Sequence, residues 1–100
     1  MIKHVVMLRM KDYENKSQKF ENALKLKKAI EALQVYIDDL KFIEVGLNLN
    51  VKPHSYDLVL TATFESEAAL ESYRNHVEHK KLMVFLRTVT KQSAVVDYEI

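Results

Sequence analysis

The chain has 100 residues, of which 48% are apolar and 29% charged, with a net charge of +1. That length suits one compact core, that balance excludes a disordered chain, and the near-neutral charge gives no chain-wide pull toward nucleic acid, anionic lipid or acidic substrates. The absence of cysteine excludes disulfides, thiolate nucleophiles and sulfur-ligated metals, and with Gly46 as the single glycine no glycine-rich phosphate or dinucleotide loop is possible.

The run IKHVVMLRM (Ile2–Met10) is apolar and β-branched, which predicts a strand. Ile2, His4, Val6, Leu8 and Met10 share one face, and Val5 and Met7, flanked by Lys3 and Arg9, lie on the other. After the polar KDYENKS, a helical period runs from Ser17 to about Leu33. Leu26, Ala29, Ile30 and Leu33 form its stripe, Phe20, Ala23 and Leu24 extend it backward, and Asn15 or Ser17 supplies the N-cap. LKFIEVGLNL (Leu40–Leu49) predicts a second strand, in which Gly46 suggests a bulge or a close backbone approach. NVKPHS (Asn50–Ser55) is a loop that exposes His54, and YDLVLTATF (Tyr56–Phe64) is a third strand. Ser66 with Glu67 starts a second helical region, which continues through EAALESYRNH. Leu82, Phe85, Leu86 and Val89 repeat the helical offsets, so a helix resumes after His79. SAVVDYEI (Ser93–Ile100) closes the chain as a fourth strand.

The order β-α-β-β-α-β predicts a single α+β domain over residues 1–100. It is a ferredoxin-like unit, a four-stranded antiparallel sheet with helices on one face. The strands carry apolar residues on both faces (Val5 and Met7; Ile43, Val45 and Leu47), which is costly if one face meets water. The expectation is a homodimer with sheets packed face to face. Nothing resembles a signal peptide or a membrane span, which predicts a cytoplasmic protein. RNA-recognition modules share the element order, but they need exposed aromatics in a basic surround, and the third strand here has no basic residue. The lysines at Lys25, Lys27 and Lys28 and at Lys80 and Lys81 read as solvated helix faces.

Chemistry concentrates in YRNHVEH (Tyr73–His79). His79 can take and return a proton near neutral pH, and a carboxylate such as Asp97, in a strand expected to lie centrally, would fix its tautomer. Without a cofactor, that pair suits proton abstraction beside a carbonyl, as in an intramolecular aldol closure. The plainer reading makes His79 a structural residue at a helix start. His4 is a core histidine or a pocket residue, depending on whether its face meets the helices or a dimer interface. Tyr73 lies on a stripe running from Leu70 to Val77, with its ring in the core and its hydroxyl seeking a partner. An unbroken helix would set Tyr73 and His79 about 120° apart, so they form one site only if the backbone breaks near Val77. His76 and His79 are spaced three apart where helical metal pairs favour four, and no further ligand stands out, so neither metal nor cofactor is expected.

MIKHVVMLRMK, IEVGLN, YDLVLTATFES, YRNHVEH and VVDYE, in this order along the whole chain, together resemble the stress-responsive A/B barrel (Dabb) family. The resemblance implies a dimeric α+β barrel built from two ferredoxin-like subunits. Some plant members look like cofactor-free polyketide cyclases of the olivetolic acid cyclase kind. By that match His79 would be the acid/base, Asp97 its orienting partner, and Tyr73 and His4 pocket residues; His76, beside them in the same segment, is expected to join them in binding a small apolar or phenolic ligand. The chain departs from the pattern at Val77, where the family usually has proline, and in its first helix, Ser17 to Leu33, which lacks the cyclases' pocket tyrosine. The second reading is a non-catalytic homo-oligomer in which these residues are polar plugs in the core.

Overall fold

The strand β1 (Ile2–Met10) lies inside the sheet, paired antiparallel with β3 (Leu58–Phe64) on one side and with β4 (Thr90–Glu99) on the other. The computed structural model describes residues 1–100. β2 (Phe42–Leu47) completes the order β2-β3-β1-β4. β4 is thus an edge strand, which corrects its expected central place: β1 and β3 occupy the middle because each has a neighbour on both sides. The strand alternation holds, with Ile2, His4, Val6, Leu8 and Met10 all buried on the face toward the helices. This settles the orientation of His4.

The helices form one layer over that face: α1 (Lys16–Glu31), the short α2 (Leu33–Tyr36), α3 (Glu67–Asn75) and α4 (Val77–Val89). Asn15 caps α1 by accepting the backbone N–H of Gln18 at 2.7 Å, and the helix buries Ala23, Leu26 and Ile30. Phe20 stays largely exposed, so the buried stripe stops one turn short of its predicted start. Ser66 caps α3 through the N–H of Ala69. Gly46 pairs with Val59 in unbroken register at an ordinary backbone angle, and a Cβ there would meet only the Val59 side chain at 3.6 Å. The one register shift in the sheet lies instead between β1 and β4, where Arg9 pairs with Gln92 and Met10 with Thr90, so that Lys91 of β4 is the extra residue.

Ile43 and Val45 point into the core. The opposite face of the sheet is nonetheless apolar at its centre. Val5 lies opposite Thr61 and Val96, and Met7 lies opposite Val59 and Ala94, while Met7, Val59, Val96 and Tyr98 are all substantially exposed.

Asp57, just before β3, is the one buried carboxylate, and its position has a structural explanation. It accepts the Met10 backbone N–H at 2.7 Å and pairs with Lys19 at 3.2 Å, tying the end of β1 to the start of α1. No helix is long and apolar enough to cross a membrane.

Candidate functional site

The second helical region breaks at His76. Its backbone is extended (φ −67°, ψ 139°), and it ends α3 and starts α4 at once. Its N–H donates to the Tyr73 carbonyl at 3.2 Å, its carbonyl accepts from Lys80 N–H at 3.0 Å, and its Nδ1 accepts the Glu78 N–H at 3.0 Å. The imidazole therefore does the work of a helix N-cap side chain, satisfying a backbone donor that the new helix leaves unpaired. His76 does not line the cavity described below, which corrects its expected place around a ligand: its ring is held against the first turn of α4. The stripe predicted from Leu70 to Val77 also ends early, with Val77 exposed beyond the break.

The break brings Tyr73 and His79 together. Their ring centroids are 4.5 Å apart, and Tyr73 also packs on Phe64 at 4.9 Å and on His4 at 6.3 Å. His79 reaches this cluster because it begins the inner stripe of α4, one turn before the buried Leu82 and two before Leu86.

Asp97 pairs with His4, not with His79. In the sheet register His4 lies directly opposite Asp97, and their side chains meet through His4 Nδ1. The second Asp97 oxygen accepts Arg74 Nη2 at 2.8 Å, which clamps the end of α3 to the edge strand. Cross-strand neighbours on one face are the closest side chains a sheet offers, and that proximity decides the partner. Burial raises the Asp97 pKa, but the hydrogen bonds and charges of His4 and Arg74 outweigh it and hold the carboxyl below its ordinary value. His79 has no carboxylate. Its Nδ1 is buried without a hydrogen-bond partner, so Nε2 is the nitrogen a ligand can reach. Burial depresses the His79 pKa below its ordinary value, and the Arg74 backbone carbonyl only partly opposes this. The ring is therefore neutral at neutral pH. Burial pushes the Tyr73 phenol up to about 12, so it stays protonated and serves as a donor.

Between β1, β4 and the pair α3 and α4 lies a cavity of about 630 Å³, a size suited to a small organic molecule. His4, Tyr73 and His79 supply its polar wall, and Leu60, Leu82 and Leu86 are among its apolar lining. Arg74, Lys80 and Arg87 also line it, and none of the three stood out as a site residue in the sequence. Lys80 is exposed, as expected for a solvated helix face, and also borders the cavity. Helical spacing carries the missed signal: Lys80, Val84 and Arg87 fall at offsets of zero, four and seven, along the shoulder of α4 beside its buried stripe. No cluster of three or more metal-ligating side chains occurs, and the exposed His54 is far in sequence and setting from the site.

Residues 2–100 match the model of the stress responsive A/B barrel domain. The chain belongs to the stress-responsive A/B barrel family. A relative of the A/B barrel chain in Streptomyces coelicolor, described as uncharacterized, is 27% identical over 99% of both proteins. A crystal structure from Bacteroides fragilis, described as a dimeric protein of unknown function with a ferredoxin-like fold, is 31% identical with a TM-score of 0.88, covering 99% of this chain and 95% of that one. The hydroxynitrile lyase of Passiflora edulis superposes with a TM-score of 0.79 over 99% of this chain and 92% of its own, and at 16% identity it shares the fold alone.

Proposed function

We propose that this A/B barrel protein is a homodimer that binds a small apolar or phenolic molecule in the cavity between sheet and helices. There it carries out cofactor-free acid/base chemistry with His79. One observation carries the reading: three polar rings, His4, Tyr73 and His79, stand together on the wall of a largely apolar cavity of about 630 Å³, and His79 has a buried Nδ1 without a hydrogen-bond partner. Buried polar groups are normally satisfied, and groups left open toward a cavity are available to a ligand.

The chemistry follows from their protonation states. Neutral His79 removes a proton from the carbon beside a bound carbonyl. The Tyr73 phenol donates a hydrogen bond to the enolate oxygen that forms. The enolate electron pair attacks a second carbonyl in the same molecule, a carbon–carbon bond closes, and the imidazolium returns its proton to the new alkoxide. No electron or atom is left over. His4, held by Asp97 through Nδ1, presents Nε2 as a second polar contact whose orientation the carboxylate fixes. The exposed centre of the outer sheet face and the dimeric description of the Bacteroides fragilis relative support the dimer.

A thermal-shift screen with phenolic and polyketide-like ketones, run on wild type and His79→Ala, tests the reading. Shifts that occur in wild type and shrink in the variant support it. Equal shifts for every compound count against the site.

A further inference from the structure

The walls of the cavity carry an unbalanced charge. Among its lining residues are Arg74, Lys80 and Arg87, and no aspartate or glutamate. Arg74 is neutralised by Asp97 at 2.8 Å and by Glu71 at 3.5 Å. Lys80 and Arg87 form no ion pair, whereas their neighbour Lys81 turns the other way and pairs with Glu78. The whole chain is nearly neutral, so this excess belongs to the cavity and not to a generally basic surface.

The two free cations frame the mouth. They stand on the same shoulder of α4 with Val84 between them, and Val95 lies on the β4 side; both valines line the cavity and are more than half exposed, Val84 at 66% and Val95 at 53%. An apolar lip between two unpaired cations fits a molecule with an apolar body whose charged end stays at the opening. Seven residues of helix set the two Cα atoms about 10 Å apart along the axis. That spacing lets the two long side chains reach one singly charged group between them, and two cations suit it better than a polyphosphate, which needs more convergent donors. Deeper in, the protonated Tyr73 phenol and the neutral His79 imidazole suit carbonyl and hydroxyl oxygens.

We propose that the cavity selects carboxylic acids, an aromatic or aliphatic body lying on Tyr73 and His79 and a carboxylate held at the mouth by Lys80 and Arg87. The proposal rests on the reading of the cavity as a ligand site.

The test compares para-hexylbenzoate with its uncharged counterpart para-hexylbenzamide by titration calorimetry at low salt. The proteins are wild type, Lys80→Met/Arg87→Met and the control Lys81→Met. Methionine keeps the apolar stem of these exposed residues, so the fold is not at issue. Wild type and the control should prefer the acid by about tenfold, the scale of two solvent-exposed charge contacts, and the double variant should lose that preference. Equal binding of acid and amide to wild type, or a preference that survives in the double variant, overturns the charge selection and leaves the cavity as a ligand site. Failure of either probe to bind any of the three proteins overturns both.

Discussion

The rings of Tyr73 and His79 lie 4.5 Å apart, although neither residue makes the backbone break that lets them meet. That work belongs to His76, between them in sequence and outside the cavity they line. The break occurs without the proline that the family pattern places at position 77.

Val77→Pro should therefore stabilise the protein. Val77 is the first residue of α4, where a missing N–H costs nothing, and the extended His76 before it already has the backbone conformation that proline demands of its predecessor. The expected gain is about 0.4–1 kcal/mol, mostly from a stiffer unfolded chain. Urea denaturation measures it, and a lowered midpoint would mean the break is not built as described.

His76→Ala should cost about 1 kcal/mol through the lost cap to Glu78 N–H, and His76→Asp should recover most of it by capping the same turn. If alanine and aspartate behave alike, the imidazole is not serving as a cap.

The acid side of the stability profile carries the signature of His79. Its folded pKa lies below the ordinary 6.5, so the unfolded chain binds the proton more readily. The contribution to stability is therefore complete above about pH 6.5 and is lost as pH falls through the lower folded value. Wild type should lose stability on acidification below pH 6.5 more steeply than His79→Gln. Parallel profiles would place the ring in an ordinary, solvated setting.

Asp97→Asn should weaken the clamp between β4 and the end of α3. The carboxylate is partly exposed, with 30% of its side-chain surface accessible, so the cost should be about 1 kcal/mol or less. The sharper readout is nitrogen NMR of His4. In wild type the proton should sit on Nδ1, donated to Asp97, and in the variant the two tautomers should mix. An unchanged His4 spectrum would show that Asp97 does not orient it.

The outer sheet face gives a test of assembly. Val96→Lys places a charge at the centre of the exposed apolar row formed with Val5, and the variant should sediment as a monomer at concentrations where wild type is a dimer. A wild-type monomer at micromolar concentration would remove the face-to-face dimer.

Much of this fold was legible because its signals are local and periodic. The alternation in Ile2–Met10 placed His4 among Val6 and Leu8, Ser66 marked a helix start that the structure keeps, and of the two candidate caps for the first helix, Asn15 and Ser17, it is Asn15 that caps. The site was less legible because its pairings are long-range. Nothing near Asp97 in sequence says that register sets it opposite His4, 93 residues away, and the carboxylate was assigned to the wrong histidine for that reason. Arg74 and Lys80 were passed over because a cation on a helix reads as solvated until the neighbouring strand is in place. Phe20 shows the reverse error, an apolar residue on a correct stripe that the sheet does not reach.

The extended ψ of 139° at His76 has a mechanical meaning. The wall bearing Tyr73 and the roof bearing His79 are separate helices joined through a single residue, so the angle at that residue sets the gap between the two rings, and the shared core beneath both helices holds it there. Position 77 then tunes stiffness and not reactivity. Proline there would restrict the joint further, whereas with valine the turn rests on the His76 cap to the Glu78 N–H.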